Sequence, residues 1–191
     1  MLYITKRHII KVPLHISIFY CTDRHTIIFT DSYVRKTLKL KTKLIIDKNK
    51  KMLKVTKEPL FDISNNEKKK LRLIQTTQVT LLKQLILDIL FISCKKLKLV
   101  GVGFRVSYLK VGSYDLLYFK LGYSHAVYFK MPETLNIFCL KSNKIYITGN
   151  TSVLLAQVGA LIRSYKAPEP YKGKGILYVS EKISLKEGKK V

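Results

Sequence analysis

The chain has no tryptophan, nine glycines, five prolines and only three cysteines in 191 residues. Cys21, Cys94 and Cys139 lie far apart and form no Cys-x-x-Cys pair. The paired spacing of a structural zinc site is therefore missing. Isolated thiols inside apolar runs read as small core residues of a reducing compartment. Long apolar runs are also missing, because the best of them, Leu81 to Cys94, is broken by Lys83 and Asp88; no membrane span is expected. The N-terminal stretch mixes Lys6, Arg7 and Lys11 with β-forming residues, without a signal peptide's apolar region or a Ser/Arg-rich transit pattern.

Acid is scarce as well. Twelve Asp and Glu stand against 36 Lys and Arg, and they are too scattered to suggest a paired general acid and base. His8, His15, His25 and His125 show no metal-ligand spacing. Gly101-Val102-Gly103 lacks the third glycine of a dinucleotide fingerprint, since Val106 stands there, and Lys172-Gly173-Lys174-Gly175 lacks the Ser or Thr of a Walker loop. Ser124 and His125 are adjacent, and neighbours on a strand point to opposite faces, so they make a poor catalytic dyad. No enzymatic activity, metal or cofactor is expected.

What remains is a large positive charge on a globular composition. The net charge is +24 and the pI about 10.0, with 47% hydrophobic residues and a mean hydropathy of +0.05. Solubility needs far less charge than this. Self-repulsion of that size points to a polyanionic partner, either nucleic acid or an anionic membrane. Lys, Ile, Leu and Tyr are abundant and alanine is scarce, the bias of an AT-rich genome.

Period-two alternation over residues 8–30 predicts strands, with Ile10, Val12, Leu14, Ile16 and Ile18 on one side and Pro13 at an edge. Leu38 to Ile46 and Met52 to Thr56 read as a basic hairpin turning at Asp47 to Lys50, and Lys36, Lys39, Lys41 and Lys43 are expected on one basic face. Asp62 to Lys70 reads as a loop and Leu71 to Gln75 as a strand. Helical spacing then starts at Thr76 or Thr77, an expected N-cap, with Leu82, Leu85, Ile86 and Ile89 facing a core. Glycine-broken strands fill 97–148, and a second helix follows with Val153, Leu154, Val158, Leu161 and Ile162 on one face.

Sliding the chain until Pro13 falls on Pro132 brings Lys11 onto Lys130, Ile16 onto Leu135, Ile18-Phe19 onto Ile137-Phe138 and Ile28 onto Ile147 without a gap. Each copy is followed by an amphipathic helix, in the first copy after an inserted basic hairpin. The expected fold class is α+β, with two similar duplicated half-domains, each a small antiparallel sheet packed by one helix. The expected boundary gives an N-terminal domain at 1–93 and a C-terminal domain at 94–191.

The second helix ends at Ala167-Pro168-Glu169-Pro170, and Tyr171-Lys172-Gly173-Lys174-Gly175 follows. The prolines stop the helix, and the Lys-Gly pairs put ammonium groups on a backbone able to approach a ligand closely. Such a loop suits phosphate. Tyr123, Tyr165 and Tyr171 could stack on sugars or bases, and Lys186 to Lys190 forms a short basic tail.

The run Pro168 to Ile176 resembles the signature of the ribosomal protein L6 family of the large subunit. Leu99 to Arg105, Leu121 to His125, the helix Gln157 to Arg163 and the Gly188-Lys189-Lys190 tail are similar to the family in the same order. The resemblance is concentrated from about Leu97 to the C-terminus. It implies two duplicated α+β domains and a structural role on large-subunit rRNA, near the sarcin–ricin loop and the docking site of translational GTPases. The N-terminal domain would face the base of the stalk, among neighbouring large-subunit proteins. Carried onto this chain, the implied rRNA contacts are Arg163, Tyr171, Lys172, Lys174, Lys189 and Lys190. Gly173 and Gly175 would permit approach, and Ser124 and His125 are further candidates. Ala126 stands where the family has proline, Leu177 replaces a basic residue, and glycines expected at Asp31-Ser32 are missing. The composition and divergent first half resemble organelle-encoded members, so a mitochondrial ribosome is expected, with a bacterial cytoplasm or a plastid as alternatives. A basic RNA- or anionic-membrane-binding protein outside the ribosome is the competing expectation.

Overall fold

The computed structural model describes residues 8–47, 49–61 and 69–188. The chain divides into two compact units, Met1–Phe91 and Ile92–Val191. In the first unit, β1 (Ile9–Lys11), β6 (Met52–Pro59) and β5 (Thr42–Asp47) form one antiparallel sheet in that order. A second sheet consists of β2 (Ser17–Cys21), β3 (Thr26–Thr30) and β4 (Arg35–Lys39). Helix α1 (Leu71–Leu90) closes the unit. Ile10 and Leu53 from one sheet, Ile27 and Phe29 from the other and Leu82 and Ile86 from α1 share a single buried cluster.

The second unit repeats this plan. Strands β8 (Arg105–Val111), β9 (Tyr114–Lys120) and β10 (Val127–Lys130) form a three-stranded sheet in the order β10-β9-β8. Strands β11 (Asn136–Lys141), β12 (Lys144–Gly149), β7 (Ser93–Val100) and β13 (Gly175–Tyr178) form a four-stranded one. Helix α2 (Ser152–Ser164) packs on β7, β12 and β13. Both sheets and the helix meet in one core that includes Leu97, Leu117, Phe119, Ile147, Leu155 and Ile162.

The α+β class and the likeness of the two units hold, but each unit carries two sheets rather than one, and the register of the repeat differs from the expected one. The pairing orders β1-β6-β5 and β2-β3-β4 recur as β7-β12-β11 and β8-β9-β10 when strands are taken in chain order. Each helix then follows its sixth strand, and no inserted hairpin is needed. The match of Pro13 with Pro132 instead laid β1, β2 and β3 on β10, β11 and β12. Each unit contains similar strand–turn–strand pieces, so a local alignment can choose the wrong one. Strand β13 is the addition: it extends the sheet of the second unit past β7, where β1 is an edge in the first.

Several local expectations are corrected. Leu14 is 83% exposed and lies in the break between β1 and β2, because the alternation is interrupted at Pro13, just past the end of β1. Leu38 belongs to β4, and the basic hairpin is β5–β6 alone, with Leu40 fully buried where the chain changes sheets. Its turn is held by the Asp47 carboxylate, which accepts from the backbone N–H groups of Asn49 and Lys50. Lys39, Lys41 and Lys43 are exposed, but Lys36 is only half exposed and pairs in register with buried Phe29.

Leu71 to Gln75 is the start of α1, not a strand. Thr76 and Thr77 lie inside the helix, their hydroxyls donating to carbonyls of Leu73 and Ile74, both at 2.8 Å. The helical stripe was hidden because two of its buried positions are glutamines, Gln75 and Gln78. The Gln75 side-chain amide donates to the Val55 carbonyl at 2.7 Å, which ties the helix to β6. In α2 the buried face is Leu155, Val158, Gly159 and Ile162, whereas Val153 and Leu161 are each 48% exposed. The expected Asp62 to Lys70 loop lies mostly outside the described residues, as do Lys6 and Arg7.

Candidate nucleic-acid interface

The segment between α2 and β13 is a clasped loop. The Glu169 N–H donates to the Lys174 carbonyl at 2.9 Å, and the Gly173 N–H returns to the Glu169 carbonyl at 3.0 Å. The Ile176 N–H donates to the Lys166 carbonyl at 2.8 Å, which closes the base of the loop as β13 begins. The following segment turns back over it, with the Lys186 N–H donating to the Pro170 carbonyl at 2.9 Å. These bonds fix the loop's backbone from within the protein, while the side chains of Tyr171, Lys172 and Lys174 are exposed.

Two glycines make this path possible. Gly173 has φ +67°, in the left-handed region that side chains disfavour. Gly175 has φ +150°, and a Cβ there would lie 2.7 Å from the Pro168 Cα and 2.8 Å from the Ala167 carbonyl oxygen. Gly175 is thus needed for close approach of the loop's own two ends. The sequence reading assigned that role to approach of a ligand.

Arg163 is half-buried in the last turn of α2. Its Nε and Nη2 donate to the two carboxylate oxygens of Glu181, at 3.0 and 2.6 Å. Glu181 also accepts from the Tyr178 N–H at 3.2 Å. The bidentate guanidinium bond, joined by that backbone N–H and the nearby Arg163 and Lys98 charges, holds the Glu181 carboxyl below its ordinary value, against the opposing effect of burial. The same hydrogen bond raises the Arg163 pKa. A carboxyl with a lowered folded pKa stabilises the fold fully above the unfolded value and loses that contribution as pH falls through the folded one. The unfolding midpoint of the wild type is therefore expected to drop faster than that of Glu181→Gln as the pH is lowered below 4.5, the ordinary value for the group. Parallel acid-unfolding curves would remove this role.

The turn between β9 and β10 joins the same region. The Tyr123 hydroxyl donates to the Tyr165 carbonyl at 2.9 Å. Lys166 Nζ lies 4.3 Å from the centroid of the Tyr123 ring, and the His125 ring stacks on Tyr123 at 5.4 Å and 12°. Tyr123, Lys166, Glu169 and Lys174 line one shallow depression. Beneath it, Phe104 fills the space that Cβ atoms at Gly101 and Gly122 would need, at 2.9 and 3.3 Å. This accounts for Gly101 and Gly122 as packing partners of one ring, whereas Gly103 has open space and is held by its φ of +76°.

The structure therefore brings the β9–β10 turn carrying Ser124 and His125 beside the Lys174 end of the clasped loop, with Ser124 and His125 themselves exposed. Lys189 and Lys190 lie outside the described residues. Tyr165 is not a stacking platform: its ring packs against Phe119 and Phe129 and is partly buried in the core. Leu177 is 4% exposed and is a buried strand residue. Sequence reasoning missed Glu181 and Lys166. For Glu181 the only signal was an isolated acid in a basic C-terminal stretch, and for Lys166 it was adjacency to the helix-stopping prolines. Among the described residues no group of three or more His, Cys, Asp or Glu is placed to hold a metal, and no helix is long and apolar enough to cross a membrane.

A basic two-unit α+β protein with an exposed, internally clasped lysine loop belongs to the class built to meet a polyanion. The family model described as ribosomal protein L6 matches residues 100–179, which span both the β9–β10 turn and the clasped loop. The chain is 47% identical to large ribosomal subunit protein uL6 of Prosthecochloris aestuarii over 95 residues, covering 50% of this chain and 51% of that protein. It is 49% identical to the uL6 of Nitrobacter winogradskyi over 96 residues, 50% of this chain and 52% of that one. A longer match, 34% identical over 128 residues, covers 67% of this chain and 70% of uL6 from Neisseria meningitidis. The chain belongs to the ribosomal protein L6 (uL6) family. In the first two of these matches it spans about half the length of its curated relative.

Proposed function

We propose that this protein is a structural, non-enzymatic constituent of the large ribosomal subunit, bound to large-subunit rRNA. The observation that carries the reading is that the family match runs through the clasped loop, whose lysines stand exposed on a backbone fixed from both sides. Lys172, Lys174 and Tyr171 are the contacts from the loop, with Gly173 and Gly175 setting its path, and Ser124 and His125 join them from the β9–β10 turn. Arg163 acts from behind, two of its donors bound to Glu181 and its remaining N–H groups directed to phosphate. Lys189 and Lys190 add phosphate contacts from the tail. The C-terminal domain, 94–191, lies near the sarcin–ricin loop and the site of translational GTPases. The N-terminal domain, 1–93, packs among neighbouring large-subunit proteins.

The AT-rich composition bias supports a mitochondrial ribosome; the relatives quoted above are bacterial, which supports the bacterial alternative. Sedimentation tests the function itself. The protein is expected to travel with the large ribosomal particle in a low-salt gradient and to be released as salt rises, since about 6–10 phosphate contacts lose on the order of 10³–10⁵ in affinity between about 50 and 200 mM salt. Recovery in light, ribosome-free fractions at low salt would contradict it.

A further inference from the structure

The outer face of the β10-β9-β8 sheet is a second candidate surface, and neither the family match nor the clasped loop explains its chemistry. Side chains alternate across a strand. Val106, Leu117, Phe119 and Phe129 point into the core, so Arg105, Leu116, Tyr118, Lys120, Tyr128 and Lys130 point away from it. The register sets Tyr118 directly opposite Tyr128, Arg105 opposite Lys120 and Leu116 opposite Lys130. The two tyrosine rings lie 5.5 Å apart at 47°. Tyr128 is 56% exposed, and Lys130 Nζ sits 3.8 Å from the ring centroid of Tyr114 on the same face.

Charge decides what such a face would meet. Arg105, Lys120 and Lys130 are all exposed. The only acid in these three strands, Asp115, falls on the opposite side, where it accepts from the Tyr108 hydroxyl. Asp115 and Glu133 approach only the Lys130 end, where they line one depression with Tyr114 and Lys130. Adjacent aromatic rings flanked by cations, with no carboxylate on the outward strand positions, suit a polyanion that also carries flat apolar groups. Unpaired nucleotides have both features: their bases stack on aromatic side chains and their phosphates meet Lys and Arg. The face adjoins the β9–β10 turn in the chain. Lys120 ends β9 and Leu121 to His125 follows directly, while the Tyr123 hydroxyl is tied to Tyr165, whose ring packs on the inward Phe119 and Phe129, so the Tyr118–Tyr128 face is a separate surface next to that turn in the chain.

We propose that this sheet face binds single-stranded RNA by stacking unpaired bases on Tyr118 and Tyr128, with Arg105, Lys120 and Lys130 on the backbone. The proposal rests on the reading of the chain as an RNA-binding protein, and the test separates the two. A fluorescent single-stranded oligouridine and a duplex RNA of equal length are titrated with the full chain, with Tyr118→Leu/Tyr128→Leu and with Tyr118→Phe/Tyr128→Phe. The leucine pair keeps apolar area but removes the rings, and it should weaken oligouridine binding by about 10-fold or more while leaving duplex binding within about 2-fold. The phenylalanine pair should bind oligouridine like the wild type, which also controls for folding. Unchanged oligouridine affinity in the leucine pair, with duplex binding intact, overturns the stacking face alone. Wild-type self-association that the leucine pair abolishes, without any change in RNA affinity, makes the face a protein interface and likewise overturns it. Failure of the wild type to bind either RNA overturns both readings.

Discussion

Gly175→Ala is expected to destabilise the second unit by about 2–4 kcal/mol, from the strained backbone and the overpacking together. The Cβ would have to enter at 2.7–2.8 Å from Pro168 and Ala167. The atoms it meets are backbone, and the Ile176 N–H to Lys166 carbonyl bond holds that backbone in place, so no rotamer change relieves the clash. The φ of +150° at Gly175 adds strain for any side chain. For a unit of this size the thermal midpoint should fall by on the order of 10 °C or more. A graded series makes the reasoning checkable. Gly173→Ala, with φ +67° and its nearest contact at 3.4 Å on the flexible Leu185 side chain, should cost only about 1–2 kcal/mol. Gly188→Ala, with open space around it, should be neutral. Equal effects at the three positions would mean that the loop does not close as described.

The largest effect on binding, as opposed to folding, is expected from Lys172→Ala with Lys174→Ala. Both side chains are exposed, and the loop's shape is kept by backbone hydrogen bonds and glycines, so the double variant should fold normally. Each phosphate neutralised contributes about 0.7–0.9 to the slope of log affinity against log salt. Removing two lysines should therefore flatten the slope by just under about two, and weaken binding uniformly rather than at one sequence. An unchanged slope would mean that these ammonium groups are solvated and the contact lies elsewhere. The two experiments are complementary, because Gly175→Ala removes the loop's path while keeping its charge, and the lysine pair does the reverse.

How much of this was visible in the sequence differs by element. The glycine-broken strands of 97–148 were legible, because Gly112, Gly122 and Gly149 punctuate them and α2 starts within three residues of β12, whereas β13 lay hidden in the Lys-Gly loop. The start of α1 was missed because its first buried position is Gln75, a polar residue satisfied by the Val55 carbonyl from β6, a partner twenty residues away that no helical window contains. The repeat was recognised, but in the wrong register, since strand pairing orders are set by tertiary contacts and not by local similarity. At the candidate interface, the Lys-Gly pairs announced an exposed basic loop. The closure of that loop on Ala167 and Pro168 and the bidentate hold of Glu181 on Arg163 depend on how the chain turns back through β13, and the burial of the Tyr165 ring depends on Phe119 and Phe129, far away in the chain. The first two become legible only once β13 is known to pair with β7.

The central claim is that the clasped loop lies on ribosomal RNA. The most direct measurement is a density map of the large ribosomal particle from the source organism. The predicted result is density for residues 168–178 against the rRNA backbone, with Lys172 and Lys174 within hydrogen-bond reach of phosphate oxygens and Arg163 still joined to Glu181. A particle in which this loop points into solvent, or from which the protein is absent, would contradict the account.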